Sequence, residues 1–110
     1  MQQQDRRAAV AAYKERKPAA GIYVVRCAAG GVWVGQSQSL DTVQNRIWFA
    51  LRMGSSPCRS LQAAWQTHGA DSFRFEILER LAEEETDYIR NAQLKARLAH
   101  WRAALGAQTI

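Results

Sequence analysis

The sequence predicts an α+β domain in which helices cover a three-stranded antiparallel sheet. Two observations carry this prediction. Three segments are rich in β-branched and aromatic residues, and the longer segments around them place apolar residues at helical spacing. Their order is helix, strand, strand, helix, helix, strand, helix, which indicates mixed layers around one core. The 110 residues fall below the roughly 150-residue prior for a domain, so we expect a single domain over 1–110.

The chain begins with a predicted helix followed by a β-hairpin. Alanines and charged residues over 3–17 favour the helix, and Pro18 ends it because proline disfavours helical backbone in the preceding residue. The segments 21–27 and 32–36 are both rich in valine and aromatic residues, with the pair Gly30-Gly31 between them. Two such strands joined by a glycine turn predict a hairpin.

Two helices are predicted after the hairpin. The first spans about 41–53, has Ser39 or Asp41 as its N-cap and ends at Gly54. The second is shorter and ends before Gly69, a residue that suits a left-handed C-terminal cap. The residues of its apolar stripe follow i, i+3, i+4, i+7 spacing: Leu61, Ala64, Trp65 and His68.

A third strand and a long helix complete the prediction. In the strand, alternate residues define a buried face: Phe73, Phe75, Ile77 and Glu79. Residues 83–105 contain no glycine or proline, and their acids precede their basic residues, as the helix dipole favours. The broad stripe expected to face the core consists of Tyr88, Ala92, Leu94, Leu98, Trp101 and Leu105.

Positive charge is unevenly distributed along the chain. The formal net charge is +5, and 12 arginines but only three lysines supply the positive charge. Residues 1–75 hold ten basic and four acidic residues. Guanidinium groups bind phosphates in bidentate geometry, so this asymmetry favours a polyanionic partner. A solvated basic surface without a partner is the alternative.

The composition excludes several classes of protein. No apolar run approaches the roughly 18 residues of a membrane span, and the polar N-terminus lacks the apolar segment of a signal peptide. We therefore expect a cytoplasmic protein with no membrane partner. Cys27 and Cys58 form neither a disulfide framework nor a CxxC pair, so we interpret them as reduced core residues. His68 and His100 have no companions at metal-ligand spacing and favour surface or capping positions.

Several motifs in order carry a family resemblance. They are Gly21-Ile22-Tyr23, then Trp33-Val34-Gly35-Gln36-Ser37 ten residues on, the helical Asn45-Arg46, and Gly69-Ala-Asp-Ser-Phe73-Arg-Phe-Glu-Ile-Leu-Glu79. Together they resemble the GIY-YIG nuclease domain. The chain is similar to a small stand-alone member of bacterial type. The best-matched core is 19–80, between an N-terminal helical extension (1–18) and a C-terminal helix (81–110).

The resemblance implies an activity and a set of site residues. Family enzymes hydrolyse DNA phosphodiester bonds with one divalent metal, here Mg²⁺ or Mn²⁺. By position, Tyr23 would be the first tyrosine, which takes part in water deprotonation, and Arg46 would hold the phosphate. Trp33 stands in place of the second tyrosine, and Glu85 would be the metal ligand. DNA would be the partner, with further contacts predicted at Arg26, Arg52 and Arg59.

The sequence also departs from the family pattern at three points. Trp33 has only an indole N–H donor and cannot act as a base. Arg46 lies farther along the chain from Gly35 than the family's common spacing places it, by three residues. Three extra residues rotate a position on a helix by about 60°. If Trp101 rather than Tyr88 marks the register of the last helix, Leu98 occupies the position of the metal-binding glutamate.

A metal-dependent endonuclease is therefore the leading interpretation of the sequence. Two alternatives stay open. One is a catalytically impaired member that binds nucleic acid through the same groove, and the other is a protein-interaction module. Of the four tryptophans, we expect three to be structural, since aromatic residues supply much of the burial in a small domain.

Overall fold

The computed structural model describes residues 19–81 and 86–110. The N-terminal helix predicted over 3–17, and the predicted start of the last helix at 83–85, lie outside these residues. The elements, in order, are β1 (Gly21–Cys27), β2 (Val32–Ser37), α1 (Leu40–Met53), α2 (Arg59–His68), a 3₁₀ turn (Ala70–Ser72), β3 (Phe73–Arg80), α3 (Asp87–Leu105) and β4 (Gln108–Thr109). Within the described ranges, no helix combines the length and apolar character needed to span a bilayer.

The four strands form one sheet in the order β3-β1-β2-β4. β1 is antiparallel to both β2 and β3, so the predicted hairpin and third strand are confirmed. The two-residue β4 pairs in parallel with β2 and adds a strand that the sequence did not predict. The Ile110 N–H donates to the Val34 carbonyl at 2.9 Å and continues this pairing. Two residues are too few for an alternating pattern, which is why the strand has no signal of its own.

Helices cover the central strands on both faces. On one face, the side chains of Tyr23, Val25 and Trp33 share a core with residues of α1 and α2, including Leu51 and Leu61. On the other face, the side chains of the intervening strand residues pack against α3, at Leu94, Leu98 and Trp101. β1 is therefore buried almost continuously, as expected of a strand covered on both faces.

An irregularity in β3 changes which residues share a face. Ile77 pairs with Tyr23 and Glu79 pairs with Ile22, so Leu78 is an extra residue in the ladder. The predicted buried alternation holds at Phe73 and Phe75 but is wrong beyond them. Ile77 is 38% exposed. Leu78 packs on the α3 side, where the Glu79 carboxylate accepts hydrogen bonds from α3.

The last helix is buried along only part of its predicted stripe. Leu94 is buried, whereas Tyr88 is 83% exposed and Ala92 is exposed. Their placement in the stripe is therefore wrong. The first turns of α3 instead contact the β2–α1 connection through polar side chains, where Gln38 hydrogen-bonds Asn91 and Arg90.

The helix ends at glycine follow two different geometries. Gly54 has φ 73° and ψ 20°, and its N–H donates to carbonyls of the last turn of α1, so the predicted end is confirmed. Gly69 has φ 81° but ψ 163°. The predicted left-handed cap is therefore wrong at Gly69, because the chain turns directly into the 3₁₀ turn that leads to β3.

Candidate active site

Tyr23 lies in the middle of β1, opposite Gly35 of β2. Its ring stacks on Phe75 with centroids 5.4 Å apart. A Cβ added at Gly35 would lie 2.3 Å from the Tyr23 hydroxyl oxygen. Only glycine at this position lets the phenol lie across the neighbouring strand. This steric requirement explains why the Trp33-Val34-Gly35 motif has a glycine there.

The Tyr23 hydroxyl keeps contact with solvent although the residue is only 4% exposed. No buried side-chain oxygen or nitrogen of the described residues lacks a hydrogen-bond partner. The Tyr23 hydroxyl forms no hydrogen bond with a described residue, so its oxygen cannot be fully enclosed. The phenol therefore presents a polar group at the edge of an otherwise apolar core.

Arg46 on α1 supplies the positive charge that acts on the Tyr23 phenol. It is exposed, and it precedes Ile47, which packs against the core. Its guanidinium acts electrostatically on the Tyr23 hydroxyl. The ion pairs between described residues do not include Arg46. Two of the predicted site residues, 23 positions apart in the sequence, therefore influence each other electrostatically in the fold.

Burial raises the pKa of Tyr23 to about 12. The Arg46 charge opposes this rise in pKa, and the nearby Cys58 adds to it. The phenol is therefore neutral at physiological pH and can both donate and accept a hydrogen bond. Cys58 lies at the N-cap of α2, and only the tertiary structure shows that it is close to Tyr23.

Tyr23 is expected to make the folded chain less stable above pH 10. In an unfolded chain tyrosine ionises near the ordinary pKa of 10.0, whereas the pKa of Tyr23 in the fold is about 12. Its stabilising contribution is complete below pH 10 and is lost as the pH rises to 12, because the unfolded chain releases a proton that the folded chain retains. The shift corresponds to about 3 kcal/mol.

Urea unfolding of the parent and of Tyr23→Phe at a series of pH values measures this loss. The phenylalanine variant keeps the ring but cannot ionise, so its free energy of unfolding should fall less between pH 10 and 12. Equal falls in both proteins would contradict the assignment.

Trp33 lies in the core and not at the open edge of the site. It is 3% exposed, and its indole N–H donates to the Ser60 hydroxyl at 2.9 Å. Ser60 in turn donates to the Gln108 Oε1 at 2.8 Å. The indole thus links β2, α2 and β4 and offers no hydroxyl to the site. Ser60 and Gln108 are 27 and 75 positions from Trp33, and no sequence signal indicated this network.

The three arginines predicted to contact DNA lie in different places. Arg26 points to the α3 face of β1 and pairs with Glu76 at 2.9 Å, so it does not join Tyr23. Arg52 and Arg59 are exposed on α1 and at the start of α2. Neither forms an ion pair with another described residue. The structure thus separates Arg26 from the surface that carries Arg46.

The described residues do not form a metal site. They contain no cluster of three or more His, Cys, Asp or Glu side chains that could hold an ion. The residues that act electrostatically on Tyr23 are Arg46 and Cys58, with no described carboxylate among them. Mg²⁺ and Mn²⁺ prefer carboxylate oxygens, so this donor set does not fit either ion. Glu85 lies outside the described residues, and Leu98, in the alternative register, packs in the core.

Comparisons with known proteins match the fold. No family model matches the sequence, and neither does any curated protein. The catalytic domain of the homing endonuclease I-TevI matches with a TM-score of 0.69 and 23% identity over 83% of this chain and 97% of that chain. A glutamate-to-alanine mutant of the catalytic domain of intron endonuclease I-TevI matches with a TM-score of 0.68 and 24% identity, over 80% of this chain and 84% of that chain. The chain therefore has the GIY-YIG fold, and the predicted fold class is confirmed.

Proposed function

From the GIY-YIG fold, we propose that the chain is an endonuclease that hydrolyses phosphodiester bonds in DNA. The observation that carries the proposal is that Arg46, exposed on the helix that packs over the Tyr23 face of the sheet, acts electrostatically on the Tyr23 hydroxyl. An exposed arginine that forms no ion pair with a described residue can bind an anionic phosphate, and a neutral hydroxyl can hydrogen-bond the groups that react at it. The sequence similarity to the I-TevI domains is low and supports only the fold, so the functional argument rests on these two side chains.

Arg46 binds the scissile phosphate in this proposal. When water attacks phosphorus, negative charge builds on the non-bridging oxygens while the bond to the leaving deoxyribose oxygen breaks. Guanidinium N–H groups already facing those oxygens stabilise the transition state more than the ground state. Arg46 can do this at little cost because no ion pair with a described residue has to break first.

Tyr23 orients the attacking water. With a pKa of about 12, its hydroxyl is protonated at neutral pH and is no strong base. It can accept a hydrogen bond from the water or donate one to the phosphate, and its fixed ring sets the direction of that bond. The water releases a proton to solvent as the new bond to phosphorus forms, and the leaving oxygen takes one up.

The divalent-ion requirement implied by the resemblance rests on Glu85. Because the described residues around Tyr23 lack a carboxylate, no step of the proposed reaction is assigned to a metal. The ion requirement stays a prediction, with Mg²⁺ or Mn²⁺ as the ion. It is tested by removing free ions with a chelator and by the Glu85→Gln variant, which keeps the side-chain size but loses the charge.

A binding module without catalysis is the second candidate. The observation in its favour is Trp33, whose polar hydrogen is used by Ser60 in the core, so that the site has one tyrosine hydroxyl and not two. In this case Arg46 would still bind phosphate but no bond would be cleaved. The two candidates predict the same affinity for DNA and differ only in turnover.

One experiment with two measurements separates the candidates. We expect the chain to bind a DNA duplex with an affinity that falls steeply between about 50 and 200 mM salt, because each phosphate contact releases counterions. We also expect cleavage with Mg²⁺ or Mn²⁺, which a chelator or Glu85→Gln abolishes. Binding without cleavage under any ion would favour the binding module. Absence of binding at low salt would overturn both and leave the protein-interaction alternative.

A further inference from the structure

The outer surface of α1 carries an apolar pair beside the candidate site. Phe49 is 60% exposed and Met53 is 66% exposed. They are four residues apart and therefore adjacent on one helix face. Phe49 also follows Arg46 by three residues, so one stripe contains all three side chains. This stripe, called here the α1 stripe, consists of Arg46, Phe49 and Met53.

The α1 stripe does not belong to any core. Its neighbours Ile47 and Trp48 turn inward and pack against the cluster that contains Tyr23. Phe49 and Met53 take no part in the hydrophobic clusters of the described residues. Two large apolar side chains left in water next to the candidate site form a surface suited to contact with another molecule.

The charges around the α1 stripe favour a nucleic acid as that molecule. Arg46 and Arg52 flank Phe49 on the same helix, and neither forms an ion pair with a described residue. The only acidic residue of α1 is Asp41, in the first turn. Among the described residues, Tyr88 on α3 is also an exposed aromatic, but the neighbouring Arg90 is paired with Asp87. Arginine next to exposed apolar groups suits a polyanion whose bases have apolar faces.

We propose that Phe49, supported by Met53, is a wedge that contacts a base next to the phosphate bound by Arg46. The proposal rests on the proposed function and adds a DNA contact beyond the phosphate. Three residues along a helix rise about 4.5 Å, on the order of the 3.4 Å step between nucleotides of one strand. Phe49 therefore reaches about one nucleotide from the phosphate. Apolar side chains at such positions can separate neighbouring bases and bend the duplex.

The test compares Phe49→Ala with the parent on a 20-base-pair duplex that contains 2-aminopurine, whose fluorescence rises when it leaves its stacked neighbour. We expect the parent to raise the fluorescence on binding. Phe49→Ala should abolish this rise and bind about tenfold more weakly, since stacking on one base contributes roughly that much. The salt dependence of its binding should match the parent's, because Phe49 touches no phosphate. Phe49→Trp should restore the rise.

Tyr88→Ala is the matched control, since it also removes an exposed aromatic side chain. It should bind and fluoresce as the parent does, and circular dichroism should show both alanine variants folded. Parental affinity and fluorescence in Phe49→Ala would overturn the wedge and leave the proposed function intact. A second result would also overturn the wedge: the parent sediments as a dimer, while Phe49→Ala sediments as a monomer and binds DNA with the parental affinity. A parent that binds no DNA would overturn both proposals.

Discussion

Replacing Arg46 by alanine is expected to lower the rate of DNA cleavage about 10²–10³-fold, with a much smaller loss of DNA affinity. The loss falls on the rate because the guanidinium meets more negative charge in the transition state than in the bound substrate. Single-turnover cleavage with enzyme in excess gives the rate, and a filter-binding titration without divalent ion gives the affinity. Arg46→Lys keeps the charge but not the bidentate geometry, so it should recover binding more than rate.

Two variants control this result. Arg102→Ala removes an exposed arginine from the last turn of α3, the helix that packs on the face of the sheet opposite Tyr23, and should cleave at the parental rate. Tyr23→Phe keeps the ring that stacks on Phe75 and removes only the hydroxyl. If Tyr23→Phe folds but cleaves slowly, its loss of rate is due to the missing hydroxyl and not to a loss of structure. Equal losses of rate and affinity in Arg46→Ala would show that Arg46 only binds DNA, contrary to its proposed role.

Trp65→Ala is expected to cost about 3–5 kcal/mol of stability, the range for a large aromatic side chain removed from a core. Trp65 is 8% exposed, and its ring lies 5.2 Å from Phe73 and 5.4 Å from Trp48, centroid to centroid. The Trp65 ring on α2 packs against side chains of α1 and β3. Its removal leaves a cavity between the three elements, which none of them can fill by moving alone. Such a loss is a large part of the roughly 5–15 kcal/mol that stabilises a domain.

Urea unfolding followed by circular dichroism measures this effect. The control Gln66→Ala removes an exposed side chain from the same helix. Its free energy of unfolding should stay within about 0.5 kcal/mol of the parent's. An unchanged midpoint in Trp65→Ala would contradict its place in the core.

Local patterns were sufficient to predict most of the described elements. The hairpin follows from two β-branched segments with glycines between them, and α1 follows from apolar spacing that ends at Gly54. In each case the deciding interactions join residues close in sequence, so the pattern is visible in the sequence itself. A shared site for Tyr23 and Arg46 could be predicted only through the resemblance of their motifs to a known family.

Contacts between distant residues account for the predictions that failed in β3 and α3. The extra residue in β3 turns Leu78 and Glu79 toward α3, where Arg97 and Trp101 hydrogen-bond the carboxylate. These bonds lower the pKa of Glu79, and the strand's own alternation contains no trace of them. Tyr88 fits a helical stripe by spacing but is exposed because the sheet packs against α3 farther along the helix.

The fold class, the hairpin with Tyr23 and Gly35 on facing strands, and the excess of arginine can all be predicted from the sequence alone. Which of those residues come near one another depends on how the elements pack. The tertiary structure places Arg46 where its charge acts on the Tyr23 hydroxyl, turns Arg26 to the opposite face of the sheet, and buries Trp33 with its indole N–H bonded to Ser60. The physical reason is that strand and helix periods assign each side chain to a face through local geometry. Elements that are distant in the sequence decide what covers each face. They therefore also decide whether a polar group on that face stays accessible to a ligand.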